Sequence, residues 1–185
     1  SGSLGQVMKD AGIDPSTVVR VSDYIHPAAL DQYSTSHRIR KRSLNGTNVC
    51  STEIVVRRLL HRPALLETDA ICYLGDDREE IKISSRRGER HRTSSSIDAI
   101  RCGKFLFCSA QGPIDHQTGE VRGLHDFREQ VGQTYRNLIQ VLVAGGSNTG
   151  DVARLLEFTD PQNAHNHEVL AQARSEMFGA EIPAV

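Results

Sequence analysis

The sequence predicts an α+β fold, with helices packed on one face of a mixed sheet. Three observations predict it. Segments of helical period alternate with segments of strand period along the chain. A helix–glycine–strand segment occurs twice: residues 4–24 correspond to residues 138–158 at a single gapless offset of 134. A charged stretch, 75–95, separates the two parts of the chain that carry these copies.

The first copy opens on Leu4, Val7, Met8 and Ala11, one face of a helix, with Gly12 placed to cap it. Asp14-Pro15-Ser16 is turn chemistry, and Val18 to Ile25 is β-branched and roughly alternating, a strand. Ala28 to Leu44 is a second helix after Pro27, and Asn45 to Asn48 is a loop. Ser51 to Val56 and the apolar run Ala64 to Leu74 are further strands, separated by a turn at His61-Arg62-Pro63. Glu67 and Asp69 are set inside that apolar run. Beyond the connector, Ile97–Arg101 and Lys104–Ser109 are short strands split by Cys102-Gly103, and residues 115–119 form a turn. Phe127 to Ala144 keeps the helical period, Gly145 and Gly146 end it, Val152 to Phe158 repeats the first strand, and 166–178 is a last helix. The expected organisation is 4–83 as α-β-α-β-β, 84–95 as linker, and 96–185 as β-β-(β)-α-β-α.

Composition narrows the function classes. Twenty-two basic and 23 acidic residues give a net charge of −1, so no broad basic surface for nucleic acid is expected. The basic runs at 37–42 and 78–92 are expected to be solvated. No run of about 18 apolar residues exists, so no membrane partner is expected. No signal peptide shows at the N-terminus, and the expectation is a cytoplasmic protein with reduced thiols. The four cysteines have no C-x-x-C spacing, and the His165/His167 pair sits at a helix start; no metal is expected. Gly145-Gly146 lacks the Lys-Ser/Thr of a phosphate loop, and Ser109 lacks a G-x-S-x-G elbow.

Residues 103–115, G-K-F-L-F-C-S-A-Q-G-P-I-D, followed by Thr118-Gly119-Glu120-Val121 and Phe127-Arg128-Glu129-Gln130, resemble the Rid family (reactive intermediate deaminases, the YjgF-type, chorismate-mutase-like fold). Leu65-Leu66-Glu67-Thr68-Asp69-Ala70-Ile71 resembles the closing strand of the same family. On this resemblance the chain holds the back of one unit followed by the front of the next, a tandem protein out of phase or a permuted unit.

The resemblance implies a trimer-like homo-oligomer, or a second chain carrying the missing halves, with small-molecule clefts between subunits. It implies hydrolysis of imines or enamines to ketoacids and ammonia without metal or cofactor. In such clefts an arginine holds the substrate carboxylate and a glutamate positions water. Glu67 matches the glutamate. Ser109 and Gln111 match a Ser-Gly-Gln strand end, with Ala110 in place of the glycine. Cys50 stands where the arginine is expected, Ser96 near a tyrosine position, and His37 near a pocket asparagine. The resemblance thus implies a divergent hydrolase with Glu67 and Cys50 as catalytic candidates and Ser109, Gln111 and His37 as substrate-binding ones. Without the arginine, weak activity on α-carboxylate imines is expected. The alternative is a non-catalytic binding or structural module that supports another cleft.

Overall fold

The computed structural model describes residues 4–83 and 97–179. The expected linker 84–95 and Ser96 lie outside them. The fold is α+β, as the sequence predicts, with two compact units. Among the described residues, 4–80 and 97–110 form one unit, and 81–83 and 111–179 belong to the other. The division therefore differs from the expected boundary at 96. The segment 97–110 joins the first unit because it covers that unit's sheet edge: Ala110 N–H donates to Ser51 O at 3.0 Å.

In the first unit, β1 (Val18–Ile25) is the central strand of a mixed sheet. It pairs in parallel with β2 (Cys50–Val55) and antiparallel with β3 (Leu66–Cys72). A second sheet has the order β4 (Arg78–Ile81), β5 (Ala99–Cys102), β6 (Phe105–Cys108). Strand β4 falls in the stretch taken from the sequence as a connector; its charged Arg-Glu-Glu-Ile hides the strand pattern, since only Ile81 is buried.

The central strand is buried on both sides. Val18 and Val21 pack with Met8 of α1 (Leu4–Asp10) and with Leu44, just beyond α2 (Tyr33–Ser43). Val19 packs the other way, with Cys50, Ile97, Ile100 and Cys102. A register shift between Val18 and Arg20 lets successive valines serve the two clusters. Burying each such valine is worth about 1.5–3 kcal/mol, which accounts for a stable strand at this position.

The helix expected over 28–44 begins later. Pro27 opens a 3-10 turn, Pro27–Gln32, and the α-helix starts at Tyr33. In the second unit, α3 (Phe127–Ala144) is capped by Asp126, whose carboxylate accepts from Glu129 N–H at 3.0 Å. It packs on α4 (His167–Phe178) through Val131, Tyr135, Leu155 and Phe178. The strand expected at Val152–Phe158 does not form: the segment is extended, with a single bridge residue at Arg154. Among the described residues no ladder satisfies its backbone, and a strand needs one.

Candidate functional site

Residues opposite one another in a ladder share a face, and neighbours along a strand alternate. The register therefore sorts the side chains of the β2-β1-β3 sheet. One face carries Asp23, Glu53 and Thr68. The other carries Arg20, Ser22 and Tyr24 from β1, Cys50 and Thr52 from β2, and Glu67, Asp69 and Ile71 from β3.

The first face is closed by α2. Asp23, 3% exposed, accepts from Tyr33 Oη at 2.9 Å and from Thr68 Oγ1 at 2.8 Å, and it pairs with Arg40. Arg40 also lies 3.6 Å from Glu53. The buried Asp23 carboxylate is paired inside the protein. Burial and the two anions Glu53 and Asp23 hold the Tyr33 hydroxyl protonated, far above the usual tyrosine range.

On the second face Glu67 is half-buried opposite Tyr24. Among the described residues it has no hydrogen-bond or ion-pair partner. Tyr24 Oη donates to Asp69 Oδ2 at 3.2 Å, a diagonal contact beside it. A part-buried carboxylate beside hydroxyls, and spent on no internal partner, is suited to orient a water molecule or accept a proton from it.

The other residues singled out from the sequence do different things. Cys50 is fully buried and its thiol donates to Phe107 O at 2.9 Å. Burial pushes the thiol up to about 12, so it is protonated and not nucleophilic. The expectation of a catalytic Cys50 thus meets a packed, neutral side chain. Ser109 is part of the frame: its hydroxyl donates to Ile97 O at 2.7 Å and accepts from Ser51 N–H at 3.2 Å. His37 lies on α2 between Tyr33 and Arg40 in helical spacing, on the Asp23 side of the sheet rather than with Glu67. Burial, then the neighbouring Arg40 charge, lowers its pKa. Gln111 is half-buried and belongs to the second unit.

One residue on the second face escaped the sequence analysis. Arg20 is half-buried in β1, directly beside Cys50. Its Nη2 donates to Thr52 Oγ1 at 3.3 Å, while its Nε is buried with no acceptor. The available signal was an arginine amid valines, Val18-Val19-Arg20-Val21, which breaks an apolar strand.

The second unit holds an open groove of about 420 Å³ between α3 and α4, lined by both signs of charge, including Arg128, Arg136, Glu129 and Glu176. Elsewhere in this unit polar groups are committed: Asn137 donates to Gly112 O and Ile114 O at 2.8 Å each, and Glu157 accepts from Tyr135 and Arg174. Among the described residues no group of His, Cys, Asp and Glu could hold a metal ion, and no helix is long and apolar enough to cross a membrane.

A family model, Endoribonuclease L-PSP, matches residues 92–184, half of the chain. The chain belongs to this family, the Rid family. The match includes Ser109 and Gln111, whereas Glu67, Cys50, His37 and Arg20 lie outside it. A RutC family protein of Pyrococcus horikoshii is 38% identical over 89 residues, covering 46% of this chain and 66% of that protein. A RutC family protein of Pyrococcus abyssi is 33% identical over 87 residues, covering 46% and 65%. The chain thus spans just under two thirds of the length of these relatives. A solved chorismatase superposes on 90% of the Rid chain and 58% of its own, with a TM-score of 0.65 and 15% identity. That likeness extends the shared fold across both units.

Proposed function

We propose that the protein is a divergent Rid-type hydrolase that acts on an imine, an enamine or a related small metabolite. The observation that carries this proposal is Glu67, a half-buried carboxylate with no hydrogen-bond or ion-pair partner among the described residues, on a polar sheet face in a chain of the Rid family. Water adds across the C=N bond of the substrate while Glu67 takes its proton. The proton then passes to nitrogen, the carbinolamine collapses, and a ketone and ammonia leave. No electron is gained or lost, so no redox cofactor is required.

The proposal places this face in a cleft completed by another copy of the chain. Leu60, Leu65 and Leu74 of the first unit are exposed, a load of surface leucine that suits burial between copies. The resemblance of 4–24 to 138–158 suits a chain built from parts of two units.

The test is hydrolysis of an imine produced in solution by oxidising an amino acid, followed as ketoacid release. Glu67→Gln should lower the rate about 10²- to 10⁴-fold, the usual contribution of a general base. Equal turnover in the variant would remove Glu67 from the mechanism. Binding of the ketoacid with no turnover in the wild type would favour a module that holds a metabolite without converting it.

A further inference from the structure

We propose that the extended segment 152–158 is a strand that docks on a second copy of this chain, adding to the outer edge of β3 in that copy. The proposal stands on backbone and register and does not depend on the hydrolase reading.

The two units repeat each other beyond the segments matched in sequence, with every correspondence 134 residues on. The 3-10 turn Pro27–Gln32 corresponds to Pro161–Asn166. Asp23 and its ion-pair partner Arg40 correspond to Glu157 and its partner Arg174. Met8 and Leu44, which pack against β1, correspond to Leu142 and Phe178, both buried. Residues 152–158 therefore stand where the first unit has its central strand, β1.

In the first unit that strand has neighbours on both sides, β2 in parallel and β3 antiparallel. In the second, Arg154 makes a single bridge, and over 153–158 no backbone group bonds the backbone of another described residue. Extended backbone in this state offers a row of donors and acceptors to an incoming strand. Its side chains alternate as a strand's do: Leu155 is buried, whereas Leu156 and Phe158 are 39% and 51% exposed.

The first unit also shows what covers such a segment. It is β3, and β3 itself pairs on one side only among the described residues. That strand, L-E-T-D-A-I-C, is as long as 152–158 and has neither the lysine nor the proline that commonly guards an exposed edge. Leu66 and Ile71 are exposed on it. Its two charges, Glu67 and Asp69, are negative. The exposed charge of 152–158 is Arg154, since Glu157 is engaged by Arg174.

The side chains set the register. Thr68 and Ala70 face the helix side of the first unit, Thr68 donating to Asp23 and Ala70 packing on the Val18 cluster. Leu155 and Glu157 face the helices of the second. An antiparallel pair that keeps both helix sides on one face therefore sets residues 67, 69 and 71 against residues 154, 156 and 158. The register β1 uses with β3, moved by 134, does so with Ile71 opposite Arg154, Asp69 opposite Leu156 and Glu67 opposite Phe158. Arg154 then lies diagonal to Asp69, within reach of a cross-strand ion pair. Phe158 of the second copy lies against Glu67, so the docked strand supplies an aromatic wall to the face that carries this carboxylate.

The experiment is sedimentation velocity on the full chain over a concentration series, with amide hydrogen exchange of 153–158. Wild type should sediment as a dimer or larger assembly, with these amides protected. Leu156→Pro takes a donor from the segment and should weaken association about 100-fold. Arg154→Asp should weaken it about 5-fold, and adding Asp69→Arg should restore it, a rescue that a misfolded protein would not show. A wild-type monomer at every concentration would overturn the proposal. So would an assembly that Leu156→Pro leaves intact, or a charge swap that restores nothing. Protected amides at 153–158 in a monomer would mean that the strand pairs within its own chain, and would overturn it equally.

Discussion

The two faces of the β2-β1-β3 sheet each carry an arginine and carboxylates, and they use them in opposite ways. On the helix side, Arg40 and Asp23 are 11% and 4% exposed at the side chain and bonded to each other. On the open side, Arg20 and Glu67 stand apart, and neither has a charged partner among the described residues. The same residue types build a closed electrostatic lock on one side and two separated, unspent charges on the other. Unpaired charge in a folded protein is costly, and among the described residues it persists on the face that carries Glu67, which is why the proposed site is placed there.

That contrast can be broken most sharply by stability measurements on the two faces. Asp23→Ala should lower the unfolding free energy by about 3–5 kcal/mol, because it leaves the buried Arg40 with only its longer contact to Glu53 and leaves Tyr33 and Thr68 without their acceptor. Arg20→Met removes a cation that has no ion-pair partner among the described residues and keeps its apolar bulk. It should cost less than about 1 kcal/mol or raise stability, as substitutions at functional sites often do. Urea unfolding of both variants checks this, and equal losses would show that the two arginines are structurally equivalent.

A smaller effect concerns pH. The folded-state pKa of His37 lies below its ordinary value, so the unfolded chain binds more protons as pH falls through that range. Stability from this group is full above the ordinary histidine pKa and is lost on acidification towards the lowered folded value. His37→Gln should therefore flatten the fall of the urea midpoint between about pH 7.5 and 5. A steeper fall in the variant would contradict the burial and Arg40 repulsion described here. The smallest effect expected is at Cys50. With its thiol pushed up to about 12, it should resist alkylation in the native state at pH 8 while Cys72, which is less buried, reacts. Rapid native labelling of Cys50 would mean that its strand opens readily.

Much of the fold was legible because local chemistry decided it. Gly12 and Gly146 illustrate this. Both have positive φ, 66° and 68°, and both end a helix in the same way. Ile13 N–H reaches Met8 O and Ser147 N–H reaches Leu142 O, at 2.8 and 2.9 Å. The two segments match through the following 3-10 turn and then part at Val18 and Val152. Val18 enters a strand with neighbours on both sides, while Val152 meets no ladder among the described residues. Sequence pattern predicts a capable strand; whether a strand forms depends on a partner that local pattern does not specify. The site divides along the same line. Glu67 stood out because a carboxylate within Leu65-Leu66-Glu67-Thr68-Asp69-Ala70-Ile71 breaks an apolar run. Arg20 breaks an apolar run equally, but its meaning depends on register with Cys50 and on the lack of an anion nearby, and both are properties of the folded sheet. His37 and Cys50 were drawn to the site by position along the chain; the first rides on α2, which packs over the Asp23 face, and packing neutralises the second.

The most direct measurement of the central claim is a crystal structure of the protein with 2-oxobutyrate bound. The account predicts the ligand on the sheet face that carries Glu67, its carbonyl carbon towards that carboxylate. A ligand seated on the helix face, or in the groove between α3 and α4 with the open face empty, would contradict it.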